Sequence, residues 1–480
     1  LNMMINFEAI IGIEVHVVLN TATKMFSPAP NQAQNATPNQ FINAIDLGLP
    51  GTMPQVNEQA VQKALILADA LNMQRVQPVL VFDRKHYFYQ DLPKGFQITQ
   101  QNFPIAQNGY VEIVENNKAQ RIIIERFHLE EDTAKQHFVD GQILLDFNRC
   151  GAPLIEVVTA PVIKSAKQSK AYLQKLRQIL IVNNISNAKL EDGSMRSDCN
   201  VSVRLKGQTA FGTKVEIKNI NSLNNVEKAI DLEIARQVKA LIKGEPVQQV
   251  TLTYDDKTNT NVFMRKKDNS VDYRYFIEPN IMSSNIDELL QKPNKAFNLT
   301  EFFTKLKEAG VNEQLNQLVV DDLTLFNAYT KINSVINSPQ DTIRWLCIEL
   351  MGQLNKLQKP LKDKTIDHLI ILIQMVQKGT VNQKQAKQLI ELMLDNGQDP
   401  QSLAKLHNLE QITDEKQLTQ IIQQIFKENE GEILKNLDRV ERIQKLIIGQ
   451  VMQRTHNRAN PQQVFIIVEK LLHDFSERAS

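Results

Sequence analysis

The stretch HLEEDTAK, residues 128–135, sets Glu130, Glu131 and Asp132 in a row behind His128. The run before it, RIIIERF, is rich in Ile and predicts a strand. Two readings of acids at such a place are open. A solvated turn accounts for them, and so does a site for a hard cation such as Mg²⁺, which takes carboxylate oxygens while waters or phosphates complete its shell. The cluster alone does not choose between them.

Other polar groups sit where strands should be plain. GIEVHVVL, residues 12–19, alternates. Ile13, Val15, Val17 and Leu19 point one way, which leaves Glu14 and His16 together on the other face, roughly 6–7 Å apart. In APLIEVVTAP, Glu156 lies inside an apolar run typical of a strand buried on both faces, where a lone carboxylate is costly and needs a cation or a donor. In SDCNVSVRL, Asp198, Asn200, Ser202 and Arg204 share a face opposite Val201, Val203 and Leu205. Beyond a Gly-bounded connection, Lys214, Glu216 and Lys218 share another, backed by Val215 and Ile217. These two segments read as antiparallel neighbours. Their mixed-charge face suits either ordinary solvated sheet or a site that holds phosphate and metal together. In FDRKHYFYQDLPKGFQITQ, residues 82–100, the basic Arg84, Lys85 and Lys94 are interleaved with His86, Tyr87, Phe88 and Tyr89. That mixture holds phosphates and stacks a base or the terminal adenosine of an RNA. It also serves to anchor cores.

The elements that must position these groups change character along the chain. Up to about residue 280, short β-branched runs are separated by Gly, Pro and Asn turns, and helical patterns interrupt them at 58–73, 165–183 and 222–243. This mixture predicts α+β architecture. After about residue 290, apolar residues recur at three- and four-residue spacing, with Gly379 and Gly397 as helix stops, so that half reads as all-helical. QKPNKA, residues 291–296, reads as the linker, and a second boundary falls near 395–412. The 480 residues are too many for one core. The formal net charge of +1 requires any nucleic-acid contact to use local basic patches. Cys150, Cys199 and Cys347 form no CxxC pair, which argues against a zinc site or a disulfide framework and fits a reducing compartment. No apolar run reaches membrane-spanning length and no signal-peptide pattern opens the chain, so a cytoplasmic protein without membrane association is expected. There is no GxxxxGK[ST], HExxH or GxSxG motif. Any use of ATP must rest on a different phosphate site.

Together, GIEVHVVL, KMFSPAP, DLGLPGTMPQVN, FDRKHYFYQDLPKGFQITQ, HLEEDTAK, LLDFNRCGAPLIEVV, LEDGSMRSDCNVSVR, FGTKVEIKNINS and DYRYFIEP stand in the order found in the B-subunit family of aspartyl/glutamyl-tRNA amidotransferase, which the chain resembles nearly end to end. The C-terminal GQVMQRTHNRANPQQV resembles that family's tail. The resemblance implies a heterotrimer, in which the A subunit releases ammonia from glutamine and the small C subunit fastens the other two together. The B subunit would bind tRNA(Gln) mischarged with Glu, or tRNA(Asn) mischarged with Asp. It would phosphorylate the side-chain carboxylate with ATP and admit ammonia. The implied fold is an N-terminal cradle domain with a mixed, largely antiparallel sheet, residues 1–292, then a helical domain, 293–409, and a helical tail, 410–480, that contacts tRNA.

Carried over by residue, the resemblance implies His16, Glu131 and Glu156 as Mg²⁺ ligands. It implies Glu14, Asp198, Asn200, Lys214, Glu216 and Lys218 as catalytic groups. Lys85, Tyr87, Tyr89 and Arg196 would bind ATP or substrate, and Arg454 and Arg458 would bind tRNA. Alternation puts Glu131 on the face opposite Glu130 and Asp132, so periodicity alone does not select it. Some family members carry a cysteine zinc motif near the N-terminus; residues 27–40 hold no Cys, and no zinc is expected. Ile277 and Asn280 replace the usual Pro and acid of the DYRYFIEP signature. A non-catalytic tRNA-binding or scaffolding role is the competing reading; a carboxylate inside a buried strand is wasteful for a scaffold. A self-contained amidase is disfavoured, because no ammonia-generating nucleophile motif is present.

Overall fold

The structure is a computed structural model describing residues 6–33, 36–75, 78–115, 118–266, 272–289, 295–412, 414–435, 439–456 and 458–479. The chain divides into two compact units, Leu1–Glu301 and Phe302–Ser480. The expected boundary at 292/293 and most of the linker at 291–296 lie outside the described residues.

The first unit is built on strands β1 (Phe7–Val18), β2 (Gln74–Arg75), β3 (Asp83–His86), β4 (Phe96–Thr99), β5 (Ala106–Glu115), β6 (Lys118–Glu131), β7 (Pro153–Thr159), β8 (Met195–Leu205), β9 (Val215–Lys218), β10 (Val250–Asp255), β11 (Thr260–Lys266) and β12 (Phe276–Ile277). Among the described residues, nine of them form one sheet in the order β11–β10–β9–β8–β1–β7–β6–β5–β2. Every neighbouring pair is antiparallel except β9 and β10. β12, β3 and β4 make a second, three-stranded sheet. The expected α+β class, with a mixed, largely antiparallel sheet followed by helices, is the one observed.

Side-chain alternation decides how the large sheet is used. Ile13, Val15 and Val17 of β1 and Val201 and Val203 of β8 are almost fully buried. Each such side chain contributes about 1.5–3 kcal/mol when removed from water. Helices α1 (Glu58–Ala70), α2 (Ala166–Val182) and α3 (Leu223–Ile242) occupy the three stretches of helical periodicity. Asn57, Ser165 and Ser222 cap them by accepting from the backbone N–H three residues on. α2 and α3 pack on each other and on the sheet through Tyr172, Leu173 and Leu176, and through Val226, Ala229 and Ile230. β1 lies between β7 and β8, so its backbone is paired on both sides and its polar side chains are held without freedom to drift.

Two loops are fixed by a buried charge pair. Lys24 donates to Asp46 at 2.9 Å, and neither side chain reaches solvent. Lys24 also donates to the Phe147 carbonyl at 3.4 Å, and Asn148 bonds the backbone of Thr37 and Phe41. Gly151 turns with φ +83° directly over Asp46, where a Cβ would stand 2.6 Å from its Oδ1. The DFNRCG stretch is therefore a clasp, delivering the chain into β7.

Among the described residues, the second unit is helical in every regular element from Glu313–Val320 to Pro461–Ala479. Gly397 ends the helix Gln383–Asn396 in the left-handed region, φ 65°. Leu418, Ile422, Ile425, Ile443, Ile447, Val451, Val464 and Val468 form a core cluster toward the C-terminus.

Lys24→Met, which strands the Asp46 carboxylate, should lower stability by about 3–5 kcal/mol, and adding Asp46→Leu should recover most of it. Denaturant midpoints of the full-length chain, read on the transition of the sheet signal, check this. Equal midpoints for single and double variants would refute the clasp.

Candidate active site

The polar face of the large sheet is assembled by register. His16 of β1 stands opposite Glu156 of β7, and Glu156 stands opposite His128 of β6. Glu130, two residues on from His128, falls on the same face. His16 Nε2 lies 3.2 Å from Glu156 Oε2 and 3.6 Å from Glu130 Oε1. His128 Nε2 lies 3.5 Å from Glu130 Oε2 and 3.7 Å from Glu156 Oε2. One ligand atom from each of His16, Glu130 and Glu156 falls within 4.8 Å of the others.

That geometry brings together His16 and Glu156 of the set implied by the resemblance, but not Glu131. The acids of HLEEDTAK are not in a turn: β6 runs through Glu131. Glu131 points to the opposite side, where it accepts from Lys94 Nζ and from the Ile98 backbone N–H at 3.0 Å. Its carboxylate is therefore neutralised away from the cluster, and Glu130 takes the third place. Alternation held the signal for this. His128 and Glu130 share parity with each other and not with Glu131.

The remaining positions fall into three groups. Asp132 receives Arg196 Nη2 at 2.8 Å, and Arg196 stands across from His16 in the β1–β8 register. The Arg196 Nε is buried with no hydrogen-bond partner among the described residues, a donor left over for a ligand. Glu14 pairs in register with Asp198 and accepts from Asn200 Nδ2 at 3.1 Å. Lys218 donates to Asp198 and lies 3.5 Å from Glu216, which in turn accepts from Thr251 at 3.0 Å. Lys214 precedes β9 and is exposed, so it does not join them. A cavity of about 520 Å³ is lined by His16, Arg196, Asp198 and Lys218, with the loop at 190–193 on its rim. A more open one of about 870 Å³ lies across that loop.

The hairpin at 82–100 is docked beside the cluster. Gln97 donates to the Glu131 carbonyl at 2.7 Å and Thr99 to Glu130 at 3.4 Å. This brings Lys85, Tyr87 and Tyr89 to the cluster's side of the unit, and the Lys85 charge acts on Glu156. In the helical unit, Arg454 is paired with Glu428 at 2.6 Å. Arg458 lines a cavity of about 600 Å³ with Lys384, His407 and His456.

Electrostatics couple these groups. Burial alone would depress His16, but the hydrogen bond to Glu156 and the charges of Glu130 and Glu156 outweigh it and hold its pKa at about 9. Burial opposes ionisation of Glu156, yet His16 and His128 keep it well below the usual carboxylate range. Burial, with the charges of Glu156 and Asp198, raises Glu14. Two carboxylates and an imidazole nitrogen converging on one point, with further acids behind, fit a hard divalent cation.

Residues 9–292 match the family described as GatB/GatE catalytic domain, and residues 325–472 match the GatB domain family. A protein of Mycoplasma genitalium named as the B subunit of aspartyl/glutamyl-tRNA(Asn/Gln) amidotransferase is 72% identical over 477 residues, covering 99% of this chain and 100% of the relative. Proteins of the same name from Ureaplasma urealyticum and Malacoplasma penetrans are each 44% identical, the first over 98% of this chain and 100% of the relative, the second over 98% and 99%.

His16 is raised from 6.5 to about 9, so the stability it lends is complete below about pH 6.5 and is lost as pH rises through about 9. A cation must displace that proton. Its affinity should therefore rise up to about tenfold per pH unit from 7 to 9, with proton release on binding. Mg²⁺ titration calorimetry in buffers of different ionisation enthalpy checks this; pH-independent affinity without proton release would remove His16 from the ligand set.

Proposed function

The chain belongs to the GatB/GatE family, and from that premise we propose that it is the B subunit of a tRNA-dependent amidotransferase, an ATP-dependent carbon–nitrogen ligase. Its substrates are Glu-tRNA(Gln), Asp-tRNA(Asn) or both. It works in the cytoplasm within a heterotrimer, beside an amidase (the A subunit) and a small fastening chain (the C subunit). The observation that carries this reading is the convergence of His16, Glu130 and Glu156 on a polar sheet face whose basic neighbours suit phosphate.

The chemical task is to make a poor electrophile reactive. The side-chain carboxylate of the mischarged aminoacyl group attacks the γ-phosphorus of ATP, forming an acyl phosphate and releasing ADP. Ammonia then attacks the acyl carbon, and inorganic phosphate leaves with the bonding pair. His16, Glu130 and Glu156 are the residues that would hold Mg²⁺, which when bound supplies charge neutralisation and alignment for phosphoryl transfer. Arg196, braced by Asp132, presents its unfilled Nε to an anionic oxygen. Lys218, held between Asp198 and Glu216, keeps a positive charge on the same cavity wall. Glu14, raised by burial and anchored by Asn200, is suited to take the proton that the attacking nitrogen must lose. Residues from about 410 form the tail, whose Arg458 and His456, together with Lys384 and His407 of the preceding helices, meet tRNA phosphates. Arg454 joins them only by giving up Glu428.

The decisive assay supplies ammonium in place of glutamine to the assembled complex with mischarged tRNA, ATP and Mg²⁺. Amidated tRNA and ADP should form together, and product without ATP would refute the acyl-phosphate step. Glu130→Gln and Glu156→Gln should each lower kcat at least a hundredfold while tRNA affinity stays within about threefold, because a neutral amide is a poor ligand for a hard cation. Glu131→Gln should act instead on stability, through Lys94.

Truncation near residue 410 should weaken tRNA binding and flatten its salt dependence, raising KM for tRNA more than it lowers kcat. Salt titrations of full-length and truncated protein, each in the assembled complex, compare the two. Identical affinities and slopes would reassign the tail to assembly.

A further inference from the structure

The nine-stranded sheet ends at β11, and the outer side of that strand pairs with no other strand among the described residues. An edge of this kind presents a row of backbone N–H and C=O groups ready to pair with another chain. Folded sheets blunt such edges with charges and bulges. β11 does so only at its far end, where Met264 bulges out of register with β10 and the exposed Arg265 and Lys266 follow. Residues 260–263 are left regular and open.

One apolar row crosses the sheet to this edge. Ile13 of β1 stands beside Cys199 of β8, Cys199 beside Ile217 of β9, Ile217 beside Leu252 of β10, and Leu252 beside Phe263 of β11. The first four are buried, and Phe263 is 57% exposed. Leu252 belongs to a small core cluster with Val215 and Val250, and Phe263 is its neighbour on the open side. On the other face, in line with Lys218 and Thr253, Val262 is exposed as well. The strand itself is held in place: α3 packs against it, with Asn261 Nδ2 donating to the Ala229 carbonyl at 2.8 Å. A fixed strand thus carries an open backbone edge and an apolar row that stops one strand short of cover.

We propose that the outer edge of β11 is a docking edge, to which a partner polypeptide adds as a further strand. This rests on the heterotrimer proposed above. The chemistry of the occupant follows from the edge. Strand donors and acceptors are satisfied by another polypeptide backbone, which RNA does not supply. An apolar side chain beside Phe263 would continue the row, and an acid on the same segment would answer Arg265 and Lys266. A second copy of this chain fails on the last count. Paired antiparallel about Phe263, it sets Arg265 and Lys266 against Asn259, Thr260 and Asn261, none of them acidic. The occupant is therefore a different chain, an extended segment with apolar and acidic residues from one of the other two subunits.

The test compares amide hydrogen exchange at residues 260–263 in the full-length chain alone and in the assembled complex. Exchange should be at least about tenfold slower in the complex. Phe263→Lys changes a side chain that is already exposed; it should keep its fold by circular dichroism and assemble about tenfold more weakly, and Phe263→Leu should restore assembly. Unchanged exchange in the assembled complex overturns the inference. Protection that tRNA alone produces, or that grows with the concentration of the isolated chain, overturns it too, as does a Phe263→Lys chain that assembles as tightly as the wild type. Amidation assayed on the same samples separates the two proposals. An active complex with an open edge condemns the docking edge alone, whereas a chain that joins neither subunit and forms no ADP refutes the function proposed above and this inference with it.

Discussion

Carboxylates crowded on one face of a sheet are the constraint on which the rest of the first unit depends. Glu14, Glu130, Glu156 and Asp198 share that face, and two unit charges 4 Å apart repel by about 4 kcal/mol at an effective dielectric near 20. Left alone, such a face would splay or protonate. It is held because each acid has a basic or hydrogen-bonding neighbour supplied by another strand: His16 for Glu130 and Glu156, Lys218 for Asp198, Asn200 for Glu14. Antiparallel pairing on both sides of β1 makes these partners adjacent, and the Ile and Val residues packed beneath keep the strands from slipping register.

The stretches outside the cluster make sense as the means of holding it. The Lys24–Asp46 pair, the Asn148 bonds and the Gly151 turn fix the chain as it enters β7, and so fix where Glu156 emerges. The Lys94–Glu131 pair and the Ile98 N–H lock the end of β6 from its other side, which is what keeps Glu130 turned inward. Glu131 thus bears on the cluster from the other side of its strand. An ion pair on one side of a strand sets the orientation of the residue next door on the other.

Much of this was legible in the sequence, and the division follows a physical line. Alternation in GIEVHVVL and SDCNVSVRL separated the buried from the polar face, and the structure keeps Ile13, Val15 and Val17 on one side and Glu14 and His16 on the other. Helical periodicity located α1, α2 and α3 to within a few residues. Local pattern cannot state which strands become neighbours, and what it left open is of that kind. Alternation already separates Glu130 from Glu131, but the register of β6 against β7 is what sets the Glu130 face beside Glu156. Lys214 and Lys218 have the same parity, but β9 begins only at Val215. Tyr273 reaches Tyr87 across a long span of chain through the pairing of β12 with β3, for which two residues of strand leave almost no periodic signal.

The protonation of His16 ties the fold of the site to its chemistry. With a pKa of about 9, the imidazole carries a positive charge at neutral pH, and that charge lies between Glu130 and Glu156. It stands where a divalent cation would stand, at half the charge. The repulsion between the acids is therefore offset by a group of the sheet itself. A cation entering the cluster must take the nitrogen lone pair that the proton occupies, so the two are alternatives and not additive. A permanently charged Arg or Lys at this position would neutralise the acids equally well but could never yield its place. A titratable imidazole satisfies both demands, which gives a physical reason for histidine, among the basic residues, in the middle of GIEVHVVL.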